Sequence, residues 1–214
     1  EGIYHYFKHD ADSHTLVLCD GPGSHEAAAG PATLPFRENS GGRGSGEFFF
    51  EHEVCHDVGP GKHTLTDYNF TTPNTSLEVR QNAVGLKTPG LGEIYDYPGS
   101  YLVSDHGQQL AKARAEEWVA RATEHTLRGN VRGPLTGTTF KLKGHPIASV
   151  NAEYLVRGSH YKFKANLERE AAESIADVDF EVTHTVAPAA TQFRPPRITP
   201  KPRIAGPQTA VVVG

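Results

Sequence analysis

The chain has 214 residues, a formal net charge of −4 and 37% hydrophobic residues. That charge provides no large positive field of the kind that holds nucleic acid, so nucleic acid is not expected as a partner. Glycine and proline together make up about 17% of the chain, against a usual value near 12%, which favours turns and short strands over long helices.

Composition also constrains where the chain works. No window approaches the ~20 consecutive apolar residues of a membrane span, and the start lacks the basic and apolar regions of a signal peptide, so no stable membrane insertion is expected. Cys19 and Cys55 are too few for a disulfide framework, and free thiols are the preferred interpretation, with a single disulfide as the alternative. The absence of methionine, even at position 1, suggests a piece of a longer protein.

Residues 1–103 are predicted to form a β-rich subdomain. Residues 1–8 and 14–19 alternate in polarity on either side of a short polar stretch, which predicts a hairpin. Residues 20–46 are rich in Gly, Pro, Ala and Ser and end in a glycine-rich run at 41–46, so we expect one long loop without a packed element. Further strands are predicted at residues 47–58, 62–70, 76–80 and 93–97.

Residues 104–191 are predicted to begin with the one long amphipathic helix of the chain, over 104–122. Its apolar stripe consists of Ala111, Ala115, Trp118, Val119 and Ala122. Either Ser104 or Asp105 is expected to cap it, and Trp118 to pack it on a sheet. Alternating strands with one solvated face are predicted at residues 125–132, 138–143, 152–157, 159–165 and 180–186, with a short helix at 168–177.

The segment His52-Glu53-Val54-Cys55-His56 matches the H-E-x-x-H pattern of zinc hydrolases, in which two histidines one helical turn apart bind the metal. The surrounding period-2 alternation, with Phe49 and Cys55 as exceptions, favours a strand instead. Histidines four apart on a strand are ~13 Å apart, too far to share one zinc ion. We therefore predict no metal and no catalytic residues, and retain a zinc-dependent hydrolase as the alternative function.

The remaining histidines show no short ligand spacing except His5-x3-His9 and His9-x4-His14 in the first hairpin. Around half-buried strands, such histidines are more often hydrogen-bonded surface residues than metal ligands. The run at 41–46 lacks the Lys-Ser/Thr and the helix that a phosphate-binding loop requires. No cofactor is therefore expected.

Residues 192–214, called the strap below, are predicted to be extended because five of the 15 prolines lie between residues 192 and 207. The strap carries four positive charges and no acidic residue: Arg194, Arg197, Lys201 and Arg203. These charges could dock on an acidic surface of a neighbouring subunit, or could only keep the strap solvated. A new β run is predicted from residue 208 to 213.

Segments spread in order along the whole chain carry a family resemblance. They are EGIYHYF at 1–7, HTLVL at 14–18, LTDYNF at 65–70, IYDYPG at 94–99, GHP at 144–146, EYLV at 153–156 and FRPPRITPKPRIAGPQTAVVVG at 193–214. Together they resemble the VgrG family, the spike protein of type VI secretion, whose base is similar to the hub of contractile phage tails. The zinc-like segment and the 41–46 run are departures that the family's role does not require.

The resemblance implies a mainly β fold of the hub type, with residues 104–191 forming a tube-like β-barrel and the strap leading to a missing domain of the oligonucleotide/oligosaccharide-binding type. It implies a structural protein and not an enzyme. The complete protein would be a homotrimer that caps the Hcp tube and carries effector or adaptor proteins. It would assemble in the bacterial cytoplasm and then be secreted or injected.

Overall fold

The computed structural model describes residues 2–38, 46–164, 179–200 and 202–212. The predicted glycine-rich run before Gly46, the predicted helix at 168–177, Lys201 and Val213 lie outside these residues. Both cysteines are free, Cys19 buried and Cys55 exposed. No helix of the described chain is both long enough and apolar enough to cross a membrane.

The described part of the chain is mainly β with one long helix, as the sequence predicts. The strands are β1 Tyr4–His9, β2 His14–Cys19, β3 Glu26–Ala27, β4 Thr33–Pro35, β5 Phe49–His56, β6 Lys62–Leu65, β7 Val79–Asn82, β8 Glu93–Asp96, β9 Thr123–Gly129, β10 Thr138–Lys143, β11 Glu153–Lys164 and β12 Asp179–Pro188. Helix α1 spans Ser104–Ala122, and 3-10 turns lie at Pro22–Ser24 and Ala148–Val150.

The largest sheet has seven strands and curls into a barrel. Its order is β3-β10-β11-β12-β9-β5, with β4 also paired to β10. The residue after β4, Phe36, forms an isolated parallel bridge with Phe49 of β5, and the Arg37 N–H donates to the Phe49 carbonyl at 2.8 Å. These contacts join β4 to β5 and close the sheet. Alternate residues of the strands fill the interior: Leu34, Phe36, Phe49, Leu127, Phe140, Leu142, Tyr154, Val156, Val182 and Val186.

The prediction of one long loop at residues 20–46 is wrong for its described part. Two short strands, β3 and β4, pair in parallel with β10, and Leu34 and Phe36 are buried in the barrel core. The composition hid them because each strand is only two or three residues long. Hydrogen bonds from a neighbouring strand that is more than 100 residues away in sequence hold them.

A β-bulge in β5 explains why Phe49 is an exception to the alternation. Phe49 pairs with Gly129 and Glu51 pairs with Arg128, so Phe50 is an extra residue in β5. Phe49 is fully buried, whereas the side chains of Phe50, Glu51 and His52 are only partly covered. The predicted strand is confirmed, and the bulge shifts the register of its two faces.

Helix α1 packs beside the small sheet β7-β6-β8 and also contacts β9. Its bounds agree with the prediction, but the cap does not. The N-cap residue is Val103, no side chain among the described residues caps the helix, and Ser104 is already helical. Of the predicted stripe, the three alanines are buried, whereas Trp118 and Val119 are half-buried. Ala113 and Ala120 are buried as well, so more than one side of the helix is covered.

Trp118 of α1 lies against Gly59 in the loop between β5 and β6, so closely that a Cβ at this glycine would overlap its indole ring. The Arg121 guanidinium lies 5.8 Å from the centre of the same ring. The barrel therefore takes strands from both sides of residue 103, and α1 bridges the two regions. The division into subdomains at this residue stays a prediction.

Candidate interaction surface

The described part of the strap, 192–200 and 202–212, contains neither helix nor strand. Its prolines remove backbone donors and so favour this extended course. The predicted β run from residue 208 is absent from 208–212, because no described strand of this chain pairs with it. Val211 and Val212 are 88% and 93% exposed.

The first strap residues lie across the hairpin β1–β2 and the barrel. Phe193 makes an edge-to-face contact with Tyr4, at 4.9 Å between ring centres. The Arg157 guanidinium lies 4.9 Å from the centre of the Phe193 ring. Tyr4 in turn shares a 2.7 Å hydrogen bond with His25 Nε2, and burial raises the pKa of Tyr4 to about 12. This end of the strap is thus fixed by aromatic packing.

Arg194 is the main anchor of the strap, and only 14% of its side chain is exposed. Its Nε donates to Glu116 Oε2 at 2.8 Å, and one terminal nitrogen donates to Asp20 Oδ1 at 2.5 Å. The same nitrogen also donates to the carbonyl oxygens of Gly2 and Asp20. Burial alone would lower the pKa of Arg194, but the hydrogen bonds to Asp20 and Glu116 outweigh it and raise the pKa above its ordinary value.

Gly2 fits this anchor because it has no side chain. Its φ is +84°, in the left-handed region that other residues avoid, and a Cβ there would meet the Arg194 side chain. One arginine therefore connects the strap to helix α1, to the residue after β2 and to the segment before β1.

Arg197 makes a looser contact. Its guanidinium lies 3.1 Å from Asp96 Oδ2 of β8, its backbone N–H donates to Glu117 Oε1 at 3.4 Å, and its side chain is 59% exposed. Glu117 is itself held by Arg114 in a nearly buried ion pair, at 3.0 Å. Beyond Arg197 the described strap is exposed, including Arg203.

The structure thus brings two of the four predicted strap cations, Arg194 and Arg197, onto acidic residues of the same chain. Sequence analysis did not identify their partners: Asp20, Asp96, Glu116 and Glu117. The signal that was present is the adjacent pair Glu116-Glu117 in α1, with Arg114 three residues before Glu117. The role of the strap in binding another subunit stays a prediction.

The zinc-like segment forms strand β5, which confirms the strand interpretation and removes the helical geometry that the zinc hydrolase alternative needs. His52 and His56 have different partners. His52 Nε2 lies 3.0 Å from His125 Nδ1, whereas His56 Nδ1 lies 3.0 Å from Thr123 Oγ1. Burial lowers the pKa of His52, and burial lowers that of His125 to about 4. Among the described residues, no three or more His, Cys, Asp or Glu side chains are placed to hold a metal ion.

Comparisons with known proteins agree with the resemblance seen in the sequence. The family model for the phage tail baseplate hub (GPD) matches residues 1–167. The chain is 39% identical over 214 residues to type VI secretion system spike protein VgrG1a of Pseudomonas aeruginosa, and 38% identical to VgrG1c of the same organism. Each alignment covers 100% of this chain, but 33% and 29% of the respective spike proteins. The chain thus spans about a third of the length of these relatives.

Solved structures show the same fold. An Escherichia coli protein, c3393, described as a component of the type VI secretion system similar to the T4 bacteriophage tail proteins gp27 and gp5, matches with a TM-score of 0.53 and 16% identity. That match covers 96% of this chain and 39% of the other. A tail protein from Neisseria meningitidis MC58 matches with a TM-score of 0.54 and 12% identity, over 86% of this chain and 50% of the other.

Proposed function

Because the chain belongs to the phage tail baseplate hub family, we propose that it forms part of the base of a type VI secretion spike. One observation carries the proposal: the similarity to the spike protein VgrG1a extends over all 214 residues. The role is structural, since a barrel with a packed interior and a solvated outer surface builds the wall of such an assembly without chemistry.

In the complete protein this base is a homotrimer that caps the Hcp tube and carries effector or adaptor proteins. It assembles in the bacterial cytoplasm and is then secreted or injected with the tube. The strap connects the base to the domain that follows. Its anchored start supports this role, because Arg194 and Arg197 fix where the strap leaves the base. Its exposed remainder is available to a neighbouring subunit.

The experiment separates assembly from folding by reversing two strap charges, in the variant Arg197→Glu with Arg203→Glu. Both side chains are exposed, so the reversal costs this chain about 1 kcal/mol or less of stability. Trimer formation and co-sedimentation of the full-length protein with Hcp tubes are expected to weaken much more than the melting temperature of this chain falls.

The matched control is Arg80→Glu with Lys141→Glu, which makes the same charge change at two exposed side chains outside the strap and its ion pairs. It is expected to leave assembly intact. If the strap variant loses assembly only together with a large fall in melting temperature, the strap only supports the core. A full-length protein that stays a monomer and does not bind Hcp tubes would contradict the proposed function.

A further inference from the structure

The hairpin β1–β2 ends in two histidines that the proposed function does not use. His9 and His14 are the last directly opposed pair before the loop, both are exposed, and their Nδ1 atoms lie 2.9 Å apart. The rings are crossed at 71°, with their centres 4.9 Å apart. The two rings thus share an exposed hydrogen bond between their Nδ1 atoms at the tip of the hairpin.

We propose that His9 and His14 together bind one divalent transition-metal ion, with copper(II) preferred. Imidazole nitrogens lie ~2.0 to 2.1 Å from such metals, so two nitrogens that meet a metal at a right angle are about 2.9 Å apart. At a tetrahedral angle they would be about 3.3 Å apart. The observed 2.9 Å shows that both exposed rings need only turn slightly to place their nitrogens on one metal ion. Copper(II) is preferred because nitrogen ligands bind it more tightly than they bind nickel(II) or zinc.

The second histidine pair shows why the geometry matters. His52 Nε2 and His125 Nδ1 are 3.0 Å apart, but their rings are nearly parallel, at 19°, and their centres are 5.3 Å apart. That separation is the nitrogen–nitrogen distance plus the two ring radii, so these nitrogens meet head-on in an N–H···N hydrogen bond. Both of these side chains are only partly exposed, so their rings cannot turn to make room for a shared metal. The pair of His9 and His14 differs in access, because both side chains are exposed and their rings can turn toward a shared ion.

Charge and access also favour a cation at the hairpin tip. The connecting loop carries Asp10 and Asp12, and is closed by a 2.9 Å hydrogen bond from the Asp10 N–H to the Ser13 carbonyl. The nearby cation Lys8 is paired with Glu26, at 2.5 Å, and lies on the other face of the hairpin. No third described ligand side chain is placed to complete the site, so water fills the other coordination positions.

The test titrates copper(II) chloride into the full-length protein against a chelator of known affinity, with paramagnetic resonance to count bound nitrogens. The variants are His9→Asn, His14→Asn and the double substitution. Each single variant is expected to bind its tightest copper ion about 100-fold more weakly, because the second ligand binds as an intramolecular step. The double variant should bind copper no more weakly than the single variants do. The control His160→Asn removes one exposed histidine of β11 and should keep the site.

The native site should bind copper more tightly than nickel or zinc. The proposal is overturned if the double variant keeps the native copper affinity, if the two single losses simply add, or if zinc binds more tightly than copper. Because both side chains are exposed, the variants keep the fold, which far-ultraviolet circular dichroism verifies. The outcome does not depend on the assembly role, so either proposal can fail alone.

Discussion

His184 is expected to make the barrel acid-labile. It lies on β12, is fully buried, and its Nδ1 shares a 2.8 Å hydrogen bond with Ser159 Oγ, while its Nε2 has no hydrogen-bond partner among the described residues. Phe49 and Tyr161 pack around its ring, at 5.9 and 6.3 Å between ring centres. Burial lowers the pKa of His184 to about 4, because the apolar interior does not solvate the imidazolium.

The sign follows from proton linkage. The unfolded chain binds a proton at this histidine below its ordinary pKa of about 6.5, whereas the folded chain does so only near pH 4. The contribution of the neutral His184 to the unfolding free energy is therefore complete above pH 6.5 and is lost as the pH falls from 6.5 to 4. Two states with these pKa values lose about 2 kcal/mol of unfolding free energy between pH 7 and pH 5. His125 acts in the same pH range, so a matched variant must isolate His184.

The assay is urea unfolding of the native chain and of His184→Asn at pH 7 and pH 5. Asparagine does not titrate and can still hydrogen-bond Ser159, so the variant is expected to lose about 2 kcal/mol less than the native chain over this range. His160→Asn, an exposed change on β11, should keep the native slope. The reasoning would be refuted if the unfolding free energies of the native chain and of His184→Asn changed equally between pH 7 and pH 5. It would also be refuted by a nuclear magnetic resonance titration in which the His184 ring protonates near pH 6.5.

Two further predictions concern packing at the strap and at α1. Arg194→Ala should lower the unfolding free energy by about 2 kcal/mol, because it removes a largely buried guanidinium that binds both Glu116 and Asp20. Arg197→Ala should cost under about 1 kcal/mol, and equal losses in urea unfolding would show that Arg194 is no anchor. Gly59→Ala should lower the unfolding free energy by about 1 to 3 kcal/mol, because the added methyl group meets the Trp118 ring. Gly158→Ala serves as the control, since a Cβ there meets nothing within 4 Å. Similar melting curves for these two glycine variants would contradict the packing of Trp118.

Elements with a strong local pattern could be predicted from the sequence. Helix α1, the hairpin β1–β2 and strand β10 have the expected positions because hydrophobic periodicity is set by nearby residues. Strands β3 and β4 could not be predicted, since hydrogen bonds to β10 create them and their own composition is typical of a loop. The bulge at Phe50 depends in the same way on pairing with β9.

The candidate surface shows the same limit. The charges and prolines of the strap are visible in the sequence, and so is its extended course. Its partners are not, because Asp20, Asp96 and Glu116 are between 78 and 174 residues away from the arginines they bind. The proposed place in a spike assembly came from the family resemblance. The prediction that the zinc-like segment is a strand came from its residues alone, and strand β5 confirms it.

The Arg194 anchor has a mechanical consequence. A pull on the strap from the direction of residue 212 first meets the exposed contact of Arg197 with Asp96, and then the bonds of Arg194 to Glu116 and Asp20. These bonds spread the tension over α1 and the end of β2, while β12, which immediately precedes the strap, pairs on both sides with β11 and β9 inside the barrel sheet. A load on the strap therefore reaches these side-chain contacts before it reaches the paired strands of the barrel.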